Sequence, residues 1–543
     1  MTMKNFTFRL LGSQRLTSTV DALFARHLVV NLASVAVIVA FGGGCGSSEK
    51  SGKSTALGSS SGGYIGNGSS SGSGIIPSSS GTTGPSPGDA SSSGGTGPAA
   101  VCGDSGLCQC PDGGTTTISG YVYDPAGVNP LYNVSVYVED PSSPLPDLST
   151  VPLTCGCSQL YPASVLATGM PTDATGYFEI PCAPSGTVTL VVQTGKWRME
   201  YPNVTIQPNT ANQVPKMRLP TNSSEGSIPD IAISTGGADS LECLPLRIGV
   251  SASEYVLGSA TGGHIHIYTG YGGATMDQGS VESYQTLWDQ QSDLNQHDVV
   301  LLSCEGHETT GGNPGVAMTP AFQGYLQTYA NAGGRVFASH FHYAWFSSGV
   351  FDTGANKLAT WTTGGQQIND NVSFPSDIDT TLASGAAFPE GAALEQWLGL
   401  VGALTTNQLP IWFARHNVKA LVQPPSTEWI HLDQTVTQAP GASQYFSVDT
   451  PIGSGPSGVC GRIVFSDLHV SGGPGTNEPN VAPDYPDAGG GGGGKQGGLV
   501  PDGCASHPLT PQEDALEFML FDLSSCLVPA GQPATTPPGL HVR

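Results

Sequence analysis

The chain is short of charge, of positive charge above all, and of long apolar runs. Only 11% of its 543 residues are charged, and 18 basic residues stand against 42 acidic ones. Six of the basic residues precede position 54, which leaves 12 basic and 40 acidic residues beyond it. A surface this acidic repels phosphate, so nucleic acid is excluded as a partner. Histidine is missing between residues 28 and 263, and no CxxC pair occurs. Cysteines in the first half therefore have no zinc-type partners. The amino-terminal apolar run, residues 28–41, has 14 residues, short of the ~20 that a membrane helix needs.

What the chain has in plenty is 75 Gly, 42 Pro and 12 Cys. Glycine and proline at that level imply long stretches that pack nothing, yet the length suffices for two or three domains with real cores. The cysteines are too many for a reducing compartment and read as disulfides. Lys4, Arg9, Arg15 and Arg26 before the apolar run, and GGGC after it, make a secretory signal. Residues 46–100 are almost wholly Ser, Gly, Thr and Pro. Such a segment buries too little to offset chain entropy and is expected to be a disordered tether. The ending FGGGC resembles a bacterial lipoprotein signal, which implies that residues 1–45 are the signal peptide region, Cys45 is the lipid-bearing residue and the partner is a membrane reached through that anchor.

Residues 101–220 read as an all-β sandwich. TISGYVYD, NVSVYVED, GYFEIP, TVTLVVQT and YPNVTIQP are short alternating runs separated by Pro, Gly, Asn and Asp. Their order, with the TDATGYF hairpin, resembles the carboxypeptidase regulatory-like (prealbumin-like) domain with an insertion at 141–170. That resemblance implies an accessory module, in some members carbohydrate-binding. Trp197 and Tyr201 are either core or edge residues or a platform for a sugar. Six cysteines (Cys102, Cys108, Cys110, Cys155, Cys157, Cys182) allow fifteen pairings, which spacing does not resolve.

Residues 241–526 read as α/β, with a parallel sheet of the flavodoxin-like kind. The organising stretch is 297–346: a buried strand at 298–303, a glycine-rich loop, an amphipathic helix near 321–332 and a second buried strand at 335–339. Continuous apolar runs such as VVLL and RVFA, joined by a helix, make a βαβ crossover. A linker is expected near 221–240 and a first strand at LPLRIGV (244–250). HIHIYTG and residues 280–290 give a second strand and a helix. Residues 391–404 form another helix, while VKALV, QYFSV and GRIVFSDLHV are later strands. A Gly, Pro and Asn insertion at 471–503 is expected to be disordered, and Thr510, Pro511 and Glu513 open a last helix with a capping box.

Sites in such sheets lie at the carboxyl ends of the strands, where Cys304, Glu305, His307, His340 and His342 fall, with His469 after the late strand. His340 and His342, like His264 and His266, are two apart, so within a strand each pair shares a face. These groups are suited to a metal site, to nucleophile and base chemistry by Cys304 and His340, or to hydrogen bonding of loops. SCEGHE resembles the GxCxGHQ turn of class I glutamine amidotransferases, but Leu302 stands in place of the first glycine and no helix follows. The next unit, GGRVFASHFH, puts His340 at the nucleophile position. This resembles the trehalose-utilisation (ThuA-like) branch of that fold, as does GRIVFSDLH with Asp467 and His469. With no thiol on the elbow, amidotransferase chemistry is disfavoured.

Of the remaining cysteines, Cys243, Cys460 and Cys526 are expected at the sheet bottom and Cys304 and Cys504 at its top. A strand of about 20 Å separates them, beyond the ~7 Å limit for bridged Cα atoms. Cys304 is then either tied to Cys504 or free, and a free thiol strengthens the enzyme case. The expectation for function is a cell-envelope, lipid-anchored protein with a non-catalytic binding role and a glycan as the candidate ligand. The alternative is a hydrolase or sugar-modifying enzyme using the strand-end histidines. No cofactor is indicated by any motif.

Overall fold

The computed structural model describes residues 113–276, 282–306, 308, 319–471 and 508–543, together with 101–102, 108–110, 500, 501 and 504. Cys45, the tether, His307 and nearly all of 471–503 lie outside the described residues. The protein is β-rich and multidomain, and residues 93–543 make one compact unit. Among the described residues no helix is long and apolar enough to cross a membrane.

The first domain consists of two facing sheets. Strands β1 (Thr117–Tyr123), β2 (Ser135–Glu139), β3 (Val165–Thr168), β4 (Tyr177–Ile180), β5 (Gly186–Thr194) and β6 (Trp197–Ile206) supply most of it. β1 pairs with β4, and β2 lies between β3 and β5, with β6 beyond β5. Alternation puts Ile118, Val122, Phe178 and Ile180 of one sheet against Val136, Val138, Leu190 and Val192 of the other. In the TDATGYF hairpin, Asp173 Oδ1 accepts from the N–H groups of Thr175 (2.8 Å) and Tyr177 (3.1 Å), so the turn is closed by its own aspartate.

The second domain is built on a ten-stranded sheet. Its strands are β7 (Ile231–Ser234), β8 (Tyr255–Leu257), β9 (Ile265–Tyr268), β10 (Val299–Leu302), β11 (Arg335–Ser339), β12 (Phe374–Ile378), β13 (Leu409–Ile411), β14 (Ser426–Leu432), β15 (Ser443–Thr450) and β16 (Gly461–Ser466). The order is β8-β9-β7-β10-β11-β16-β15-β14-β12-β13. The first six are parallel and the rest antiparallel. From β7 the chain goes out to β8 and β9 on one side, then crosses to β10 on the other. The order therefore reverses about β7, and the crevice at its carboxyl end is where ligands bind in such sheets. β10 and β16 are buried along their whole length, as strands covered on both faces must be.

Three helices matter for the argument: α1 (Pro320–Asn331), α2 (Pro389–Val401) and α3 (Pro511–Ser524). α1 begins at Thr319, whose side chain accepts from the Phe322 N–H, with Pro320 in the first turn. α3 opens on the Thr510 to Glu513 capping box and is buried on every side. Its reason is position: it lies between the sheet and the first domain, stacking Phe518 on Tyr132 and Phe521 against Trp197. Trp397 of α2 donates to the Pro130 carbonyl at 2.6 Å. One hydrophobic core therefore runs through both domains.

Several sequence expectations are corrected here. Residues 244–250 are not the first strand: Leu244–Arg247 is a helical turn with Pro245 in its first positions. The central strand is β7, four residues inside the segment expected to be a linker. IAIS is too short to stand out as an apolar run. Helix within 280–290 is limited to Tyr284–Trp288. Val418–Leu421 is a strand, but it pairs with Ala359–Trp361 in a separate two-stranded sheet. Because β7 leads upward into Cys243, that cysteine lies at the carboxyl end, where it bonds to Cys504.

Among the described residues, further disulfides join Cys110 to Cys182, Cys155 to Cys460 and Cys157 to Cys526. The last two bind the insertion of the first domain to the amino ends of the parallel strands. Gly333 (φ +116°) permits this, since a Cβ there would lie 2.3 Å from the Thr154 carbonyl oxygen. Gly195 (φ +54°) does the same against the Ser524 carbonyl, where a Cβ would come within 1.8 Å.

Candidate functional site

β10, β11 and β16 are neighbours in the sheet, so whatever follows each strand meets at one end. Cys304 comes two residues after β10, His340 directly follows β11, and His469 follows β16. His340 opens a 3₁₀ turn, His340–Trp345, with φ of +34°. This left-handed backbone, unfavourable for a residue with a Cβ, turns the imidazole back over β10 instead of letting it continue along the strand. The strained elbow is thus at His340 and not at Cys304.

The three side chains converge. Cys304 Sγ lies 3.5 Å from His340 Nδ1 and 3.7 Å from His469 Nε2, and the two ring nitrogens are 3.0 Å apart. Cys304 and His340 have no exposed surface, and His469 is 4% exposed. Burial holds both imidazoles well below the usual histidine range, with the Arg415 guanidinium adding to the effect. Burial also pushes the Cys304 thiol far up, with the Asp239 carboxylate adding to the effect and the Phe341 and Gly306 backbone opposing it. The thiol is therefore protonated and unreactive as it stands. It is free of any disulfide, and it is not paired with Cys504.

A polar layer encloses the cluster. His340 Nε2 donates to Asn417 Oδ1 at 3.2 Å, and Asn417 Nδ2 donates to the carbonyls of Thr362 (2.8 Å) and Gly364 (2.6 Å). Asp239 accepts from Ser471 N (3.1 Å), Ser471 Oγ (3.0 Å) and Ser339 Oγ, and burial raises its carboxyl to about 7. Arg415 grips Asp370 through both terminal nitrogens, at 2.6 and 3.2 Å. Asp467, also raised to about 7 by burial, accepts from the Val418 N–H at 2.8 Å.

Other candidates do not join this group. His342 lies on the 3₁₀ turn, so the two-apart rule for a strand fails. Its Nε2 donates to the Ser303 carbonyl (2.9 Å), its Nδ1 accepts from Trp345 Nε1 (3.2 Å), and burial lowers it to about 4. Both nitrogens are occupied by the protein itself. Glu305 is buried and its carboxyl raised to about 8, facing the Tyr271 backbone instead of the cluster. His264 and His266 stay at the amino end: His264 Nδ1 pairs with Glu254 at 2.7 Å, and His266 packs on His297 with centroids 4.8 Å apart. Asp239, Arg415 and Asn417 escaped the sequence reading. Asp239 follows β7 in STGGAD, a glycine loop after a strand, which was the available signal. Nothing local marks Arg415 or Asn417.

Open space begins on the outer side of this layer, where a cleft of about 390 Å³ is lined by Thr362, His416 and Val418 beside Asn417. A cleft of about 310 Å³ sits at the opposite end of the sheet, lined by Lys196, Asp298, Arg335 and both interdomain disulfides. The aromatic platform considered for a sugar is also absent. Trp197 is fully buried between the domains, and the Tyr201 hydroxyl donates to the Arg218 carbonyl at 2.8 Å. The exposed aromatics of the first domain are on another face: Tyr121, 38% exposed, meets Tyr177 edge to face at 5.5 Å on the outer side of β1 and β4.

No family model and no curated protein matches the chain. Among solved structures, a cytoplasmic protein from Salmonella typhimurium is 12% identical over 48% of this chain and 94% of its own, with a TM-score of 0.25. Two interface mutants of a type II cohesin–X-dockerin complex from Acetivibrio cellulolyticus are 15% and 16% identical. They cover 23% and 28% of this chain and 78% and 88% of their own, with TM-scores of 0.14 and 0.15. Likenesses this low carry no inference about what this chain does.

Proposed function

We propose that the protein is a cell-envelope lipoprotein, anchored through Cys45, that binds a glycan without turning it over. In this reading residues 101–220 are a carboxypeptidase regulatory-like module, and the parallel sheet belongs to an α/β, flavodoxin-like domain of the ThuA-like type. The observation that carries the non-catalytic reading is closure. Cys304 and His340 are entirely covered, and a substrate must touch the groups that transform it. The oxidised cysteines support an extracytoplasmic location.

For the ligand, the support is the outer face of β1 and β4. There Tyr121 and Tyr177 lie opposite one another, as do Ser119 and Glu179, and the Tyr177 hydroxyl donates to Glu179 at 2.9 Å. Aromatic faces beside hydroxyl and carboxylate groups match the alternating apolar and polar faces of a sugar ring. The test is binding of purified full-length protein to envelope polysaccharides, alongside a Tyr121→Ala, Tyr177→Ala variant. We expect affinity to drop by about tenfold or more, as for truncated aromatic anchors. Equal binding by the variant, or no binding by the wild type, sinks the glycan reading. The second reading, a hydrolase or sugar-modifying enzyme, is favoured by the strained His340 elbow and the free thiol. Turnover of the bound glycan that vanishes in His340→Ala establishes it in place of the first.

A further inference from the structure

We infer that Cys304, His340 and His469 form a metal site of the zinc class, which ties together the carboxyl ends of β10, β11 and β16. The first support is distance. A tetrahedral centre with metal–sulfur bonds of about 2.3 Å and metal–nitrogen bonds of about 2.0–2.1 Å has S···N edges of about 3.5 Å and an N···N edge of about 3.3 Å. The triangle here measures 3.5, 3.7 and 3.0 Å. These edges have the right lengths for three ligands around one ion.

The second support is independent of those lengths. Asn417 donates both amide hydrogens to carbonyls, so its Oδ1 must be the acceptor that faces His340. His340 Nε2 therefore carries the proton, and Nδ1 presents a bare lone pair to the cluster. An outer partner that fixes the tautomer in this way is the usual companion of a metal-bound histidine. The His340 backbone, held at φ +34°, is the strain that aims the ring.

Sulfur and imidazole donors suit zinc and reject calcium and magnesium. On binding, the Cys304 S–H bond breaks, its proton leaves to solvent, and the sulfur pair forms the metal–sulfur bond. Both imidazoles bind neutral, His469 with its proton on Nδ1, so one proton is released per ion and nothing is oxidised or reduced. Three protein ligands leave the fourth vertex to a small molecule such as water. This inference goes beyond the binding reading above and stands or falls apart from it, since a closed metal site braces the fold whatever the outer face binds.

A second group, Asp379, Glu428 and His431, also has ligand atoms near one another. There the ordinary ion pair of His431 Nδ1 with Asp379, at 3.1 Å, accounts for the arrangement. It serves as the control. The test uses the full-length chain, exported, without a polyhistidine tag and grown in medium with added zinc chloride, then with cobalt chloride in its place. We expect about one equivalent of zinc per chain by elemental mass spectrometry. The cobalt protein should show a sulfur-to-cobalt charge-transfer band that disappears in Cys304→Ser. His469→Gln should lose most of the metal, while Glu428→Gln keeps it. Because buried variants can misfold, the wild type is also decisive by itself. Substoichiometric zinc together with no charge-transfer band in the cobalt-grown protein overturns the inference. So does metal retained in Cys304→Ser and lost in Glu428→Gln.

Discussion

The two ends of the parallel strands use their cysteines differently: disulfides at the amino end reach across to the first domain, and the one at the carboxyl end stays within the second. At the amino end Cys460 and Cys526 are oxidised to the insertion of the first domain, and the charged residues there work as cross-braces. At the carboxyl end one disulfide, Cys243 to Cys504, joins two of the chain's own loops, and Cys304 stays reduced, packed against two histidines under a cover of loops. The difference follows from what each end faces. The amino end meets another domain, so its side chains reach outward to bind it. The carboxyl end meets the chain's own returning loops, which close over the polar groups and need each of them paired. The amino end thus ties the two domains together, and the carboxyl end encloses a buried polar cluster.

This contrast can be broken most sharply at Arg462, in the amino half of β16. Its guanidinium bonds Asp449 (2.8 Å), Asp522 (2.8 Å), Glu390 (3.3 Å) and the Val528 carbonyl (2.7 Å) with almost no exposure. Arg462→Met removes the guanidinium that is bonded to three carboxylates. We expect a loss of about 3–5 kcal/mol, measured by denaturant unfolding, as for other broken buried ion pairs. A loss below about 1 kcal/mol would show that these carboxyls are neutral and that the network braces nothing.

Next in size is the Cys155–Cys460 bond, which closes a loop of 305 residues. Replacing both cysteines by serine should cost roughly 2–4 kcal/mol. It should also let protease cut the 141–170 insertion faster, while a free-thiol assay on Cys304 in the folded protein stays negative. Reactive Cys304 in that variant would mean that the two ends are coupled, contrary to the division drawn here.

A further effect is that of pH, felt at the seam between the domains. Burial raises Asp124 to about 6 and Asp514 to about 7, and it raises Glu517 further. Unfolded, these groups release their protons near pH 4. Between about 4 and 7 the folded chain holds more protons than the unfolded one, so stability falls as pH rises through that window. His297 at the amino end opposes this. Burial lowers it to about 3, so the unfolded chain takes up a proton near 6.5 that the folded chain refuses, and stability falls as pH drops below that value. The melting temperature should therefore be highest in mildly acidic solution. A maximum above pH 8 would mean that the seam carboxyls are ionised in the folded state.

Legibility in the sequence tracked how local the cause was. β10, α1, β11 and the α3 cap could be read because apolar runs, the amphipathic pattern of 321–332, and Thr510 with Glu513 carry their signals within a few residues. The same holds for the hairpin closed by Asp173. β7 could not be read, since four residues at the centre of a sheet owe their state to two neighbouring strands and not to their own pattern. That miss sent Cys243 to the wrong end, and with it went the pairing to Cys504. The histidines were legible as a group at the strand ends, but their division was not. Whether His340 or His342 faces Cys304 depends on one left-handed residue and on which carbonyl lies overhead.

By itself the sequence determined the cysteine-rich, acidic character of the chain and the strand and helix segments whose periodicity and caps are local. It also determined that Cys304, His340 and His469 must lie near strand ends, because strand length is set by the apolar run. Only the tertiary structure decided that β10, β11 and β16 are neighbours, that Cys155 and Cys157 reach across to Cys460 and Cys526, and that Asn417 sets the His340 tautomer. Each of these pairs residues from 36 to 369 positions apart. No local energy term connects such positions. They meet because one hydrophobic core, continuous through both domains, leaves the loops no other place to close.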